Sequence, residues 1–532
     1  MPLPVAPDLG TAGAVVRQAE AVTAGAARHL AGLGDIDEHQ VAAYDLAHAA
    51  AAVESARAVL DYGGKGEVEA AIACAFVADA AHDVATRVLG REAQWGTEAG
   101  ALAGALPFVR TYRDPGWLAE LAGEQGPRHL DSDLELVQDT FRRFAEDQVR
   151  PVAEHVHRAN TDIPEHIIRG LAEIGTFGLS VPEEYGGFAA GGEGEYLAMV
   201  VATEELSRAS LGVAGSLITR PEILTRALVR GGTEEQKHEW LPKLATGEIM
   251  NAVAVTEPDF GSDVANLKAT ATPDGAGEGW RINGVKTWCT FAARADVLML
   301  LARTDPDRSK AHRGLSLFVV PKERGDGHGF ELTQPGGGRM EGRAIDTIGY
   351  RGMHSFEVAF DNWLVPSGNL IGGEAGLGRG FYLQMEGFEN GRLQTAARAI
   401  GLMQAAYEAA FDYAVNRRVF GKPVAEYQLS RVKLARMAVV IQASRQFAYH
   451  VARLMAKGEG AMEASMVKAY VCRAAEWVTR EAVQIHGGMG YAEEFPVSRY
   501  FVDARVLSIF EGADETLALK VIARRLVEAA RA

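Results

Sequence analysis

The sequence predicts an α+β protein that is mainly α: two helical regions flank a β domain, and an extra helical region precedes them. Three observations carry that prediction. Alanine-rich stretches with few strand signals fill the first part of the chain. Glycines and short apolar runs crowd residues 251–372, and apolar residues at helical spacing return from Gly378 onward. The expected divisions are an N-terminal helical extension over 1–125, a helical domain over 126–250, a β domain over 251–372 and a C-terminal helical bundle over 373–532. A chain of 532 residues is too long for one ordinary core, which agrees with several domains.

Each element follows from a local pattern. Val41–Leu60 and Gly66–Leu89 place small apolar residues at helical spacing and read as a helical hairpin or small bundle. No catalytic constellation lies there, so this region reads as a packing or oligomerisation appendage. Arg110–His129, with Pro115 and Pro127, reads as the linker out of it. Leu134, Val137, Phe141 and Phe144 then recur three and four apart on one helix face, and helices continue to Leu244 around a Val181–Gly187 loop. In the β region, Val297–Leu301, Leu315–Val320 and Phe356–Phe360 read as strands. Asn283-Gly284 falls between two strand-like halves of Trp280–Trp288 and predicts a hairpin, because Asn-Gly tolerates the positive φ of a type I′ turn. Leu429, Val432, Ala435, Val439 and Ala443 mark a bundle helix, and Arg417–Lys422 and His486–Tyr491 mark breaks.

Composition narrows the function. Hydrophobic residues are 48% and charged residues 23%, which are globular values. Asp+Glu exceed Lys+Arg by 70 to 54, and a net charge of −16 repels phosphate backbones and anionic lipid. Nucleic acid and membrane partners are therefore not expected. No apolar run approaches the roughly 18 residues that span a bilayer, and the first residues carry no secretory pattern, so a cytoplasmic protein is expected. Cys74, Cys289 and Cys472 lie too far apart for a disulfide framework or a metal-ligand spacing.

The chemistry gathers in five motifs. Val255-Thr256-Glu257-Pro258-Asp259-Phe260-Gly261-Ser262-Asp263 offers two hydroxyls and accessible backbone N–H groups in one loop. That suits a phosphate or a flavin edge, and equally a Pro-Gly surface turn. Lys286-Thr287-Trp288-Cys289-Thr290 adds an aromatic face and a hydroxyl. Arg417-Arg418-Val419-Phe420-Gly421-Lys422, then Gln484–Tyr491 with its Gly-Gly pair, then Phe510-Glu511-Gly512-Ala513-Asp514-Glu515 follow. His486 reads as structural, and Cys289 as a small apolar filler.

In this order the five motifs resemble those of the acyl-CoA dehydrogenases, over roughly residues 130–532. The resemblance implies the acyl-CoA dehydrogenase fold: an α-helical domain, a β-barrel-like middle domain and a C-terminal helical bundle, here with an extra N-terminal helical region. It implies FAD as cofactor, an acyl-CoA substrate, an electron-transfer flavoprotein as acceptor, and a homodimer or homotetramer. By the same resemblance Val255, Thr256, Gly261, Ser262, Trp288 and Thr290 line the flavin from one subunit. Arg417, Phe420, Gln484 and Gly488 reach the FAD of a neighbour. Glu511 is the expected base, taking the α-proton of the thioester while flavin N5 takes the β-hydride. The other reading of Glu511 is an ordinary glutamate at a helix start. One branch of the family keeps its base just before an Arg on a helix of the last domain; the matching residue here, before Arg392, is Gly391, which has no carboxylate. Ala513 and Glu515 depart from the Thr and Gln usual after the base, and the missing hydroxyl puts one flavin hydrogen bond in doubt without removing the base.

The long extension and the run Gly336–Met353 resemble the branch that oxidises (2S)-methylsuccinyl-CoA to mesaconyl-CoA in the ethylmalonyl-CoA route. Arg220, Ser262, Arg392 and Gly512 are the expected substrate contacts. A free carboxylate at the acyl end needs a cation in an apolar pocket, and Arg220, in Ser216–Ile223 beside Pro221, is the candidate. Its other reading is a helix-capping Arg, or one paired with Glu222. The alternatives for the whole chain are a dehydrogenase for another short branched acyl-CoA, an oxidase using O₂, or a non-catalytic binding protein on the same fold.

Overall fold

The computed structural model describes residues 3–275 and 277–531. The helices before the sheet are α1 (Leu9–Leu33), α2 (Gln40–Gly63), α3 (Glu67–Val88), α4 (Leu106–Tyr112), α5 (Pro115–Glu120), α6 (Ser132–Phe144), α7 (Arg150–Ala159), α8 (Glu165–Glu173), α9 (Glu193–Ala209), α10 (Thr219–Gly231) and α11 (Glu234–Thr246). The strands are β1 (Asn251–Ala254), β2 (Thr270–Pro273), β3 (Gly279–Thr290), β4 (Val297–Arg303), β5 (Leu315–Pro321), β6 (Gly329–Thr333), β7 (Arg339–Ile345) and β8 (Ser355–Pro366). Then come α12 (Gly380–Asn416), the short β9 (Arg418–Val419) and β10 (Lys422–Pro423), α13 (Gln428–Ala456), α14 (Ala461–His486), α15 (Val497–Leu507), α16 (Asp514–Thr516) and α17 (Arg524–Arg531). The expected order of helices, β domain and helices, with an extra helical region in front, is what the chain adopts.

These elements form two compact units, one of residues 1–139 with 395–532 and one of residues 140–394. In the second unit the strands make a mixed sheet ordered β1-β4-β2-β3-β8-β7-β6, with β5 paired to β4. β4 is buried at every position, so its run from Val297 to Ala302 shows no alternation. Leu224 and Leu228 of α10 and Leu241 and Leu244 of α11 share one core with Met299, Leu301, Leu317 and Val319. That core fixes β1, whose end runs straight into the loop at Val255.

Two local expectations fail. The first is the hairpin at Asn283-Gly284. β3 runs unbroken from Gly279 to Thr290, and this pair sits at an irregularity where its register against β8 shifts. The turn lies one strand earlier: β2 pairs with the first half of β3, from Pro273 opposite Trp280 to Thr270 opposite Asn283. Gly284 has φ 138° and packs against the Ala269 backbone, 2.8 Å from where its Cβ would stand, so this glycine serves a bulge and a close approach. The second is the linker at Arg110–His129. Pro115 is the first residue of α5, capped by Asp114, whose carboxylate accepts from the N–H of Gly116 and Trp117 at 2.8 and 3.0 Å. A proline there starts a helix, because its missing N–H would be unpaired anyway. Trp117 is buried, so much of the segment is packed structure.

In the first unit, α2, α3 and α5 pack on α13, and α2 also packs on α14. Asp79 of α3 takes Arg436 of α13 at 2.6 Å and Arg113 at 2.7 Å. Lys520 pairs with Asp37 at 2.6 Å, and Arg531 Nη2 donates to the Gly34 carbonyl at 2.6 Å. The extension is thus part of one core with the C-terminal helices. Among the described residues no helix is long and apolar enough to cross a membrane.

Candidate active site

In the unit of residues 140–394, a tight turn shapes the Val255–Asp263 loop, with Glu257 and Phe260 exchanging backbone hydrogen bonds at 3.1 and 3.0 Å. Thr256 O accepts from Thr287 N at 2.8 Å, which ties the loop to the end of β3. A buried ion pair reinforces that tie. Lys286, wholly buried, donates to Glu257 Oε1 at 2.8 Å and to the Val255 carbonyl at 2.9 Å. The same carboxylate accepts from the N–H of Lys268 and Ala269 at 2.7 and 2.8 Å. Burial pushes the Lys286 ammonium below its usual range, and the Glu257 carboxylate opposes that shift. Motif reading passed over this pair. Its signal was present: a lysine amid apolar positions of a strand has to find an acid.

Lys286→Met is expected to strand a buried carboxylate, costing about 3–5 kcal/mol, and to lower the FAD content of the purified protein. Denaturation and the flavin-to-protein absorbance ratio measure both. Adding Glu257→Gln should recover part of the stability, because it removes the stranded charge while the amide oxygen still accepts from one of the two N–H groups.

Past Lys286 the register against β8 slips again, before Cys289. Trp288 takes φ 57° there and turns its ring outward, half exposed, while Cys289 stays buried. Burial pushes the Cys289 thiol up to about 12, so it is a filler and not a thiolate. Thr290 Oγ1 lies 2.9 Å from Ser355 Oγ. Beside this face a Cβ on Gly261 would meet only Thr256 Cγ2, at 3.9 Å. An exposed indole on strained backbone suits the flat ring of a flavin, and the loop tied to the same strand at Thr256 and Thr287 offers an open glycine.

Arg220 stands in the first turn of α10 and is buried. It donates to the Ser216 carbonyl and to Thr219 Oγ1, both at 3.3 Å. No carboxylate among the described residues pairs with it; Glu222 instead stands 3.7 Å from Arg226. Arg392 is buried in α12, and Ser262 is exposed in the loop.

In the other unit, Glu511 lies in the loop after α15, not in a helix turn. It has φ 56° and the next residue, Gly512, has φ 101°. A left-handed glutamate costs on the order of 1–3 kcal/mol and persists only if its surroundings hold it. They do. Lys468 Nζ donates to the Gly512 carbonyl at 2.6 Å, and the fully buried Arg398 lies under the Phe510 ring, 5.0 Å from its centroid. The Glu511 side chain is 9% exposed, with Oε1 at 4.0 Å from Arg398 Nη2. Its buried Oε2 has no hydrogen-bond partner among the described residues. A nearly buried carboxylate with one oxygen unused is what a proton acceptor awaiting a substrate requires.

Arg417 follows α12, and Phe420 and Gly421, both at positive φ, form the two-residue turn between β9 and β10. The Phe420 ring is 98% exposed. Gln484 is exposed near the end of α14, and a Cβ on Gly487 or Gly488 would meet nothing within 4 Å. His486 is buried and stacked on Tyr413 at 4.2 Å, its Nδ1 2.8 Å from the Ala482 carbonyl. Burial holds its pKa below the usual imidazole value.

Models of the acyl-CoA dehydrogenase N-terminal, middle and C-terminal domains match residues 131–248, 252–363 and 378–527. The chain belongs to the acyl-CoA dehydrogenase family and is an FAD-dependent oxidoreductase of acyl-CoA thioesters. It is 46% identical to the (2S)-methylsuccinyl-CoA dehydrogenase of Cereibacter sphaeroides over 405 residues, which are 76% of this chain and 71% of that one. Butyryl-CoA dehydrogenase from Megasphaera elsdenii is 30% identical with a TM-score of 0.68, covering 75% of this chain and 99% of its own. A glutaryl-CoA dehydrogenase solved with glutaryl-CoA is 30% identical with a TM-score of 0.67, covering 76% of this chain and 96% of its own.

Proposed function

We propose that the chain oxidises (2S)-methylsuccinyl-CoA to mesaconyl-CoA, as a step of the ethylmalonyl-CoA pathway. The observation that carries this reading is Arg220, a buried guanidinium that among the described residues bonds to a carbonyl and a hydroxyl and to no carboxylate. A cation left in that state is matched by a substrate that brings its own carboxylate. Similarity to a methylsuccinyl-CoA dehydrogenase points the same way. So does the relative solved with glutaryl-CoA, another dicarboxylic thioester.

Glu511 removes the α-proton through Oε2, and the electron pair of that Cα–H bond becomes the α,β double bond as the β-hydrogen leaves with its own pair. Bound FAD supplies the hydride acceptor, N5, for the β-hydrogen. Arg220 pairs with the distal carboxylate, and Ser262, Arg392 and Gly512 complete the substrate contacts. Val255, Thr256, Gly261, Ser262, Trp288 and Thr290 hold the flavin. Arg417, Phe420, Gln484 and Gly488 serve the flavin of a neighbouring copy, so the enzyme acts as a homodimer or homotetramer. Electrons leave to an electron-transfer flavoprotein.

Anaerobic flavin bleaching against methylsuccinyl-CoA, glutaryl-CoA, isobutyryl-CoA and butyryl-CoA tests the substrate. Methylsuccinyl-CoA should bleach fastest. A preference for butyryl-CoA or isobutyryl-CoA overturns the substrate reading and leaves the enzyme class standing.

A further inference from the structure

The extra N-terminal region reaches the loop that carries Glu511. Asp514, three residues on, accepts at one oxygen from two side chains of α2: Tyr44 O–H at 2.6 Å and His48 Nε2 at 3.2 Å. Tyr44 and His48 are one turn apart and meet edge to face, with ring centroids at 4.5 Å. His48 and Asp514 are both buried. Burial holds His48 below its usual range, so the neutral ring donates one N–H. Burial alone would raise the Asp514 carboxyl, but the hydrogen bonds and charges around it prevail and hold it low. The result is an ionised acid clamped by two donors.

We infer that Tyr44 and His48 are positioning residues for the dehydrogenation, acting through Asp514 on the placement of Glu511. Only Gly512 and Ala513 separate the clamped aspartate from the base, and Glu511 and Gly512 both hold left-handed conformations that need outside support. Lys468 anchors the loop at Gly512 O and the Ser508 carbonyl accepts from Asp514 N–H at 3.1 Å, while α2 holds the Asp514 side chain. With the α2 clamp gone the chain keeps its fold, while the Glu511 carboxylate samples positions off the proton's path. This assigns a task to α2 in the reaction that packing alone would not give it, and it rests on Glu511 being the base.

The test uses full-length holoenzyme and whichever acyl-CoA bleaches the flavin fastest. Tyr44→Phe with His48→Leu should keep its FAD absorbance and full bleaching amplitude, yet bleach about ten- to a hundredfold more slowly, with acyl-CoA affinity within about twofold of native. α-Deuterated substrate should show a larger isotope effect in that variant, because proton removal has become slower. His48→Gln, which retains a donor, should recover most of the rate. Bleaching at the native rate overturns the inference, and so does a loss confined to amplitude and FAD content. Should the double variant fail to hold FAD, the near-isosteric Tyr44→Phe alone decides between the same outcomes. A Glu511→Gln control separates the two readings. If it bleaches at the native rate the base assignment has failed, and if it is inert while the α2 variants are unaffected only the positioning role has.

Discussion

Glu511→Gln is expected to bind FAD and acyl-CoA normally and to reduce the flavin about 10²–10⁴-fold more slowly. The amide matches the carboxylate in volume and leaves the backbone at φ 56° as it was, so the loop keeps its anchors on Lys468 and α2. What changes is the atom facing the substrate: an unpartnered Oε2 that can take a proton gives way to a group that cannot. Rapid-mixing absorbance of the flavin measures the rate directly, and the visible spectrum before mixing reports FAD content. A native rate in a fully loaded variant would remove Glu511 from the reaction. Loss of FAD would say that the side chain supports the loop that holds it.

Arg220→Met should divide the substrates by charge. With methylsuccinyl-CoA the variant leaves a buried carboxylate without a cation, a penalty of about 3–5 kcal/mol, or roughly 10²- to 10³-fold or more in kcat/KM. With isobutyryl-CoA, which has no distal charge, the uncharged side chain should leave turnover nearly unchanged or improve it. The fold should survive. Thr219 O–H already donates to the Ser216 carbonyl at 2.9 Å, so both partners of the guanidinium stay hydrogen-bonded to each other. Equal losses on both substrates would make Arg220 a structural residue, and unchanged turnover of methylsuccinyl-CoA would rule out the clamp.

Much of the architecture was legible because burial patterns repeat locally. β4 and β5 read as strands since nearly every residue in them is buried, and α13 read as a helix from its three-and-four spacing. Even there the pattern overreached, since Leu429, taken as the first core position of that helix, is 71% exposed. Asn283-Gly284 misled for a physical reason. The pair permits a type I′ turn, but pairing with β8 on one side and β2 on the other favours a continuous strand with a bulge. The short β9–β10 hairpin turns on Phe420 and Gly421, where the left-handed Phe420 is the position that turn preferences would not select. Glu257 and Lys286 were hidden by standing 29 positions apart, and Tyr44 and Asp514 by 470. No periodicity spans such intervals. A long-range polar contact leaves only a polar residue in an apolar neighbourhood as its trace.

The unit that carries Glu511 is discontinuous, built from residues 1–139 and 395–532. During synthesis the early helices leave the ribosome long before α13 and α14 exist to cover them. All of residues 140–394 must be translated in between, an interval on the order of tens of seconds at ordinary elongation rates. Through that wait their apolar faces are open to one another and to any neighbouring nascent chain. Yield in a foreign host should therefore depend on growth temperature and on holding chaperones more steeply than the stability of the finished enzyme would suggest.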